Sequence, residues 1–251
     1  MVYIRTEDEI NKISKSCQIV ADTLIMLEKY VKEGVKVSRL DNLAEDFIRS
    51  SGARPAFKGY MGFPSTLCVS VDSAVVHGIP GDEILQNGQI VGIDCGAELD
   101  GYFGDHAKSF AVGEISENKK KLLNVTKESL KKAINKAVVG NYVGDIGYEV
   151  QKHAENNGFS VVRELVGHGI GSQLHEEPQI PNFGSKKQGY KLRSGMCIAI
   201  EPMINAGDKG IFTADDGWTI YTIDGQPSAH FEHTIAITDN GPKILSKGSN
   251  G

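Results

Sequence analysis

Apolar side chains first recur along the chain at steps of three and four, at Ile10, Ile13, Cys17, Val20, Leu24, Leu27 and Val31. That spacing keeps them on one face and predicts an amphipathic helix over 7–31. Thr6 and Glu9 form a capping-box pair at its start, and Gly34 follows its end. A second helix is predicted from Ser38 to about Ser50, with Leu40, Leu43, Ala44 and Phe47 inward. A third fits 117–139 behind Ser116, with Leu122, Leu130, Ala133, Ile134 and Ala137 as its stripe. A fourth fits 145–157 with Asp145 as N-cap. Short β-branched runs at 67–71, 89–95, 107–112, 159–165, 196–201, 218–223 and 230–238 read as strands.

The pattern repeats. Gly34, Val37, Leu40 and Gly52 align with Gly140, Val143, Ile146 and Gly158, the glycines eighteen apart in each copy at an offset of 106. Leu85, Gly88, Ile93 and Asp94 align with Leu192, Gly195, Ile200 and Glu201 at an offset of 107. Two matches at nearly one offset imply a duplicated helix–helix–strand unit, with halves at about 1–112 and 113–245 of a single domain. Each half then ends an apolar strand on one carboxylate, Asp94 or Glu201. Symmetric halves place such residues near a shared axis, where a site can form.

Composition narrows the classes. Of 251 residues, 27 are Lys or Arg and 32 are Asp or Glu, a net charge of −5 that argues against a nucleic-acid substrate. The lysines at 119–121 and 131–132 read as a solvated helix face. No apolar run approaches the ~20 residues a bilayer requires, and MVYIRTEDEI lacks a signal-peptide core. The four cysteines have no metal-binding or disulfide spacing. A soluble cytoplasmic protein is expected, with the polar tail 246–251 flexible.

The chemistry lies in acids set among apolar residues. Asp94 interrupts Ile90–Cys95, Glu201 precedes Pro202 at the end of Cys197–Ile200, and Glu232 enters the run to Ile237. Asp100-Gly101 is a hairpin turn signal, and pairing Leu99 with Tyr102 sets residue 96 opposite 105. Asp94 and Asp105 then share a face as diagonal neighbours. The strands carrying Asp94, Glu201 and Glu232 contain no Lys or Arg, so metal ions are the simplest source of balancing charge.

His168 stands in the glycine-rich stretch 167–171 as a candidate ligand, with His175 in a different role seven residues on. His77 precedes a turn, and spacing alone leaves it between a structural and a functional role. His106 and His153 read as bystanders, and His230 and His233, flanking Glu232, are expected on the face opposite to it. Four carboxylates and one imidazole make an oxygen-rich site suited to Mn²⁺, Fe²⁺, Co²⁺ or Zn²⁺, with acids enough for two ions. Such a pair polarises a carbonyl and activates water, which is hydrolytic chemistry. No G-x-S-x-G, Walker loop or G-x-G-x-x-G is present.

The runs Val75–Gly81, Ile93–Ala97, Gly101–Ala107, Gly167–Gly171, Ile200–Met203 and Phe231–Thr234 together resemble the type I methionine aminopeptidases, in order and spacing over nearly the whole chain. The resemblance implies an α/β pita-bread (creatinase/aminopeptidase) fold, with two pseudo-symmetric halves around a curved antiparallel sheet. It implies two divalent metals held by Asp94, Asp105, His168, Glu201 and Glu232, with Asp105 and Glu232 bridging. It also implies that His77 and His175 contact the substrate and the developing tetrahedral centre, and that Glu201 takes the proton of the attacking water. The methionine pocket carries over as Tyr60, Phe63, Cys68 and Trp218, with Met203 nearby. Phe57 and Leu174 replace the Cys and Phe of the best-known bacterial pattern, which alters pocket shape but keeps it apolar.

The implied substrate is the N-terminal Met of nascent polypeptides whose second residue is small and uncharged. The resemblance suggests a monomer and makes the ribosome a candidate partner, although no residue marks it. Two other readings compete. An X-Pro aminopeptidase or prolidase of the same fold usually carries an extra N-terminal domain, for which this length leaves no room. A non-catalytic binding protein on this fold is opposed by the intact ligand set.

Overall fold

The computed structural model describes residues 1–248. In chain order the elements are α1 (Glu7–Glu28), α2 (Val37–Ser50), β1 (Arg54–Pro55), β2 (Leu67–Val71), β3 (Ala74–Val76), β4 (Ile90–Leu99) and β5 (Tyr102–Ala111). There follow α3 (Glu117–Ile134), α4 (Val143–Asn156), β6 (Ser160–Val161), β7 (Val166–Gly169), β8 (Glu176–Pro181), β9 (Cys197–Ile200) and β10 (Met203–Asn205). The last are β11 (Ile211–Thr213), β12 (Ile220–Thr222), β13 (Ser228–His230), β14 (His233–Thr238) and β15 (Gly241–Ile244).

Local sequence sets most helix starts. Glu9 N–H donates to Thr6 Oγ1 at 3.3 Å while Thr6 N–H donates to Glu9 Oε2 at 2.9 Å, closing both halves of the capping box. Ser116 Oγ accepts from Lys119 N–H at 3.3 Å. The fourth helix begins earlier than expected: Tyr142 is its N-cap, and Asp145 sits at the third position, accepting from Tyr142 N–H at 2.9 Å. In α2 the fully buried positions are Leu40, Ala44 and Ile48, with Leu43 and Phe47 only half-buried.

Two sheets carry the core. A four-stranded antiparallel sheet joins β1, β2 and β5 to β4, and a five-stranded sheet runs β15-β14-β9-β7-β8. Helices α1 and α2 bury Val20, Leu24, Leu40 and Ile48 with Leu67, Val91 and Ile93 of the first sheet. Helices α3 and α4 bury Leu122, Leu130, Ile146 and Val150 with Ile198, Ile200 and Ile235 of the second. A third apolar cluster lies between, including Ile13, Cys17, Phe57, Phe63, Cys68, Leu174 and Cys197.

The aligned segments adopt matching structure. Gly34 and Gly140 have φ of 83° and 93°, and Gly52 and Gly158 have φ of 80° and 84°. Gly34 N–H donates to Leu85 O, and Gly140 N–H to Leu192 O, the aligned leucines. Both α2 and α4 have 14 residues. Ser246, at the start of the expected flexible tail, is fully buried, and its hydroxyl accepts from Thr234 N–H at 3.1 Å. Residues 249–251 of that expected tail lie outside the described residues.

Candidate active site

The hairpin β4–β5 has the register expected from its turn: Leu99 faces Tyr102, Gly96 faces Asp105, and Asp94 faces Ala107. Asp94 and Asp105 therefore point to one side. Against β5 lies the segment 230–234, laced to it residue by residue. Thr234 Oγ1 donates to Asp105 O at 2.7 Å and accepts from Asp105 N–H at 3.3 Å. Glu232 N–H donates to Ala107 O at 2.9 Å. Ser109 Oγ donates to His230 O at 2.9 Å and accepts from His230 N–H at 3.0 Å. This antiparallel seam sets Glu232 beside Asp105, and β9 delivers Glu201 from the adjoining strand.

All fourteen residues singled out in the sequence line one cavity of about 720 Å³. Asp94, Asp105, His168, Glu201 and Glu232 lie at one end; ligand atoms of Asp105, His168 and Glu232 come within 4.8 Å of one another. Phe57, Tyr60, Phe63, Cys68, Leu174, Met203 and Trp218 supply the apolar wall, with Phe63 and Trp218 edge-to-face at 5.1 Å. His175 stands between them, and His77 also lines the cavity. His175 lies edge-on to His168 at 4.3 Å, and its Nδ1 is 2.9 Å from the Tyr60 hydroxyl. His77 occupies a left-handed backbone conformation, φ 59°, unusual for a residue with a Cβ.

The electrostatics are those of charge without a counter-charge. Burial pushes Glu201 up to about 8. It raises Asp94, and it raises Asp105 and Glu232 further with the help of repulsion among the acids. No Lys or Arg lines the cavity. Asp94 Oδ1, Asp105 Oδ1 and Glu232 Oε1 are buried with no hydrogen-bond partner. Burial lowers His168 to about 3, and it lowers His77 and His175 to about 4, so all three are neutral near pH 7. His168 Nδ1 faces Gly169 O at 2.9 Å, which leaves the Nε2 lone pair turned to Asp105 and Glu201. Orphaned carboxylate oxygens with one imidazole are a donor set that divalent cations of the Mn–Zn series complete. The chain fits such ions.

Sequence reasoning missed His230. Its Nε2 is unpartnered and stands 3.6 Å from Glu201 Oε2. The expectation that it faces away from Glu232 fails on parity: residues two apart on an extended chain share a face. Only His233, one residue on, turns away, where it stacks on His106 with ring centroids 4.5 Å apart. The signal was present in the spacing itself. His106 also is no idle neighbour, since its Nδ1 contacts Glu232 O.

The role of Glu176 was likewise not legible. Its carboxylate takes the buried Arg5 guanidinium at 2.6 Å, Gln173 N–H at 3.0 Å and Ser172 Oγ at 3.1 Å. Those bonds close the loop that carries Leu174 and His175. Arg5 is 167–171 residues away from its partners, beyond any local pattern.

Residues 11–239 match the family model of metallopeptidase family M24. A methionine aminopeptidase of Clostridium perfringens is 50% identical over 98% of this chain and 99% of its own. The crystal structure of methionine aminopeptidase from Thermotoga maritima superposes with a TM-score of 0.97 at 44% identity, covering 98% of this chain and all of that one. A prolidase from Pyrococcus furiosus shares the fold with a TM-score of 0.80 at 25% identity, and the match spans 65% of its length. The architecture is the pita-bread fold.

Proposed function

This chain belongs to metallopeptidase family M24 and, within it, to the methionine aminopeptidases, and from that premise we propose how its cavity works. Asp94, Asp105, His168, Glu201 and Glu232 would hold two divalent ions. The observation that carries this reading is the convergence of four buried carboxylates, three with orphaned oxygens, at the end of an apolar pocket. Ions bound there supply Lewis acidity toward the scissile carbonyl and the attacking water.

The residues divide the remaining work. Phe57, Tyr60, Phe63, Cys68, Leu174, Met203 and Trp218 enclose the methionine side chain, and the acids favour a free α-amino group beside them. Glu201, its carboxylate facing His168 at the metal end of the cavity, takes the proton of the water and returns it to the leaving amine. His175, its ring fixed by Tyr60, and His77, neutral through burial, hold the substrate carbonyl as it becomes tetrahedral. Cleavage is expected only where the second residue is small and uncharged.

This is work on newly made chains, read as that of a cytoplasmic monomer with the ribosome as candidate partner. Among the described residues no helix is long and apolar enough to cross a membrane. Metal-stripped protein titrated with Mn²⁺, Fe²⁺, Co²⁺ or Zn²⁺ is expected to release methionine from Met-Ala-Ser and not from Met-Lys-Ser. Cleavage of X-Pro peptides in their place would move the assignment to the prolidase branch. Full activity without metal would overturn the ligand set.

A further inference from the structure

The two oxygens of Glu201 face different imidazoles. Oε1 stands 3.6 Å from His168 Nε2, and Oε2 stands 3.6 Å from His230 Nε2. The two rings are not equivalent. His168 lines the cavity and offers a lone pair. His230 lies behind Glu201, outside the cavity lining and only 3% exposed, with its Nε2 unpartnered. Its backbone is fixed in both directions by Ser109 of β5, so the ring is delivered from a main chain that cannot move independently of the hairpin bearing Asp94 and Asp105.

We infer that His230 is a positioning residue for the reaction: its Nε2–H donates to Glu201 Oε2 and holds the carboxylate with Oε1 turned into the cavity. The inference rests on the reading of Glu201 as proton acceptor. A small rotation of the Glu201 side chain closes the present separation, as catalytic hydrogen bonds that are long in a free enzyme tighten in the complex. A donor role suits the geometry better than ligation, because His230 Nε2 meets Glu201 from outside the cavity that all five proposed ligands line. The consequence for function is orientation. A glutamate has three rotatable bonds, and a carboxylate that must meet a water at one oxygen works only when the other is tied.

The test compares His230→Gln with His230→Met. Both side chains are unbranched and of similar size, but only Gln keeps an N–H donor near the position of Nε2. His230→Met is expected to lower kcat for Met-Ala-Ser about 100-fold with KM within about threefold, the split that marks an interaction made in the transition state. His230→Gln is expected to recover most of that loss. Calorimetric titration of the metal-free variants with Mn²⁺ should give the wild-type stoichiometry and affinity in both. Equal turnover in the two variants overturns the inference, and so does loss of one metal equivalent, which would make His230 a ligand. Should His230→Met fail to fold by circular dichroism, His230→Asn, whose amide is too short to reach Oε2, takes its place. Metal-independent turnover of the wild type would instead overturn the reading of the site.

Discussion

Asp94 and Asp105 stand on one unbroken hairpin of two ten-residue strands, whereas Glu201 and Glu232 stand just past or between strands that stop beside them. The first pair is oriented by its own ladder: register and alternation are enough to bring both acids to one face. Of the second pair, Glu232 is oriented by that hairpin, while Glu201 arrives at the end of β9. Glu232 is held by Ala107 and His106, His230 by Ser109, and Thr234 by Asp105, in every case against β5. A local element thus serves as the template, and distant chain is laid on it. Acids at corresponding places in an aligned repeat, Asp94 and Glu201, consequently carry different duties.

The sharpest way to break that comparison is to neutralise each in turn. Glu201→Gln is expected to lower kcat by roughly 1000-fold or more at saturating metal, because it removes the proton acceptor. Asp94→Asn is expected to weaken metal uptake first, with activity largely restored at high Mn²⁺. Identical responses in a metal titration of the two variants would make the positions equivalent.

Packing offers a second, smaller contrast. Gly104 lets β5 pass directly against α1, where a Cβ would collide with the backbone of Ser16 and Cys17. Gly147 lets α4 approach the carbonyls of Pro181 and Phe183 in the same way. Alanine at either position is expected to cost about 1–3 kcal/mol in urea unfolding. Only Gly104→Ala, beside Asp105, should also weaken Mn²⁺ binding measured by calorimetry. Equal affinities in both would show that the template tolerates displacement.

The smallest effect is a pH dependence. A carboxyl raised in the folded state keeps its proton where the unfolded chain has released it, so stability falls as pH climbs toward the folded value. Buried histidines, held below their usual 6.5, act the opposite way, withdrawing stability only as pH falls below that value. Between about pH 6.5 and about pH 8 the raised carboxyls alone operate, Glu201 among them. Metal-free protein should therefore lose a few degrees of melting temperature across that window, and saturating Mn²⁺ should abolish the slope. A flat profile without metal would mean that burial does not hold these carboxyls protonated.

The sequence by itself determined the helices, the hairpin and the identity of the acids. Each of these rests on short-range regularities: the three-and-four spacing of α1, the Thr6–Glu9 cap, the Asp100-Gly101 turn, and acids among apolar neighbours that carry no cation. The resemblance over nearly the whole chain added which histidines and aromatics join them. Tertiary structure alone decided that Arg5 crosses to Glu176, that β5 is laced to 230–234, and that Ser246 is tied beneath Thr234 rather than free. His230 belongs between the two. Its parity with Glu232 was written in the chain, but only the approach of β9 placed Glu201 against it. The division has a physical cause. Periodicity and capping report interactions within a turn or a strand pair, whereas a buried ion pair or a carboxylate seam joins residues more than a hundred positions apart, whose meeting depends on how the two cores dock.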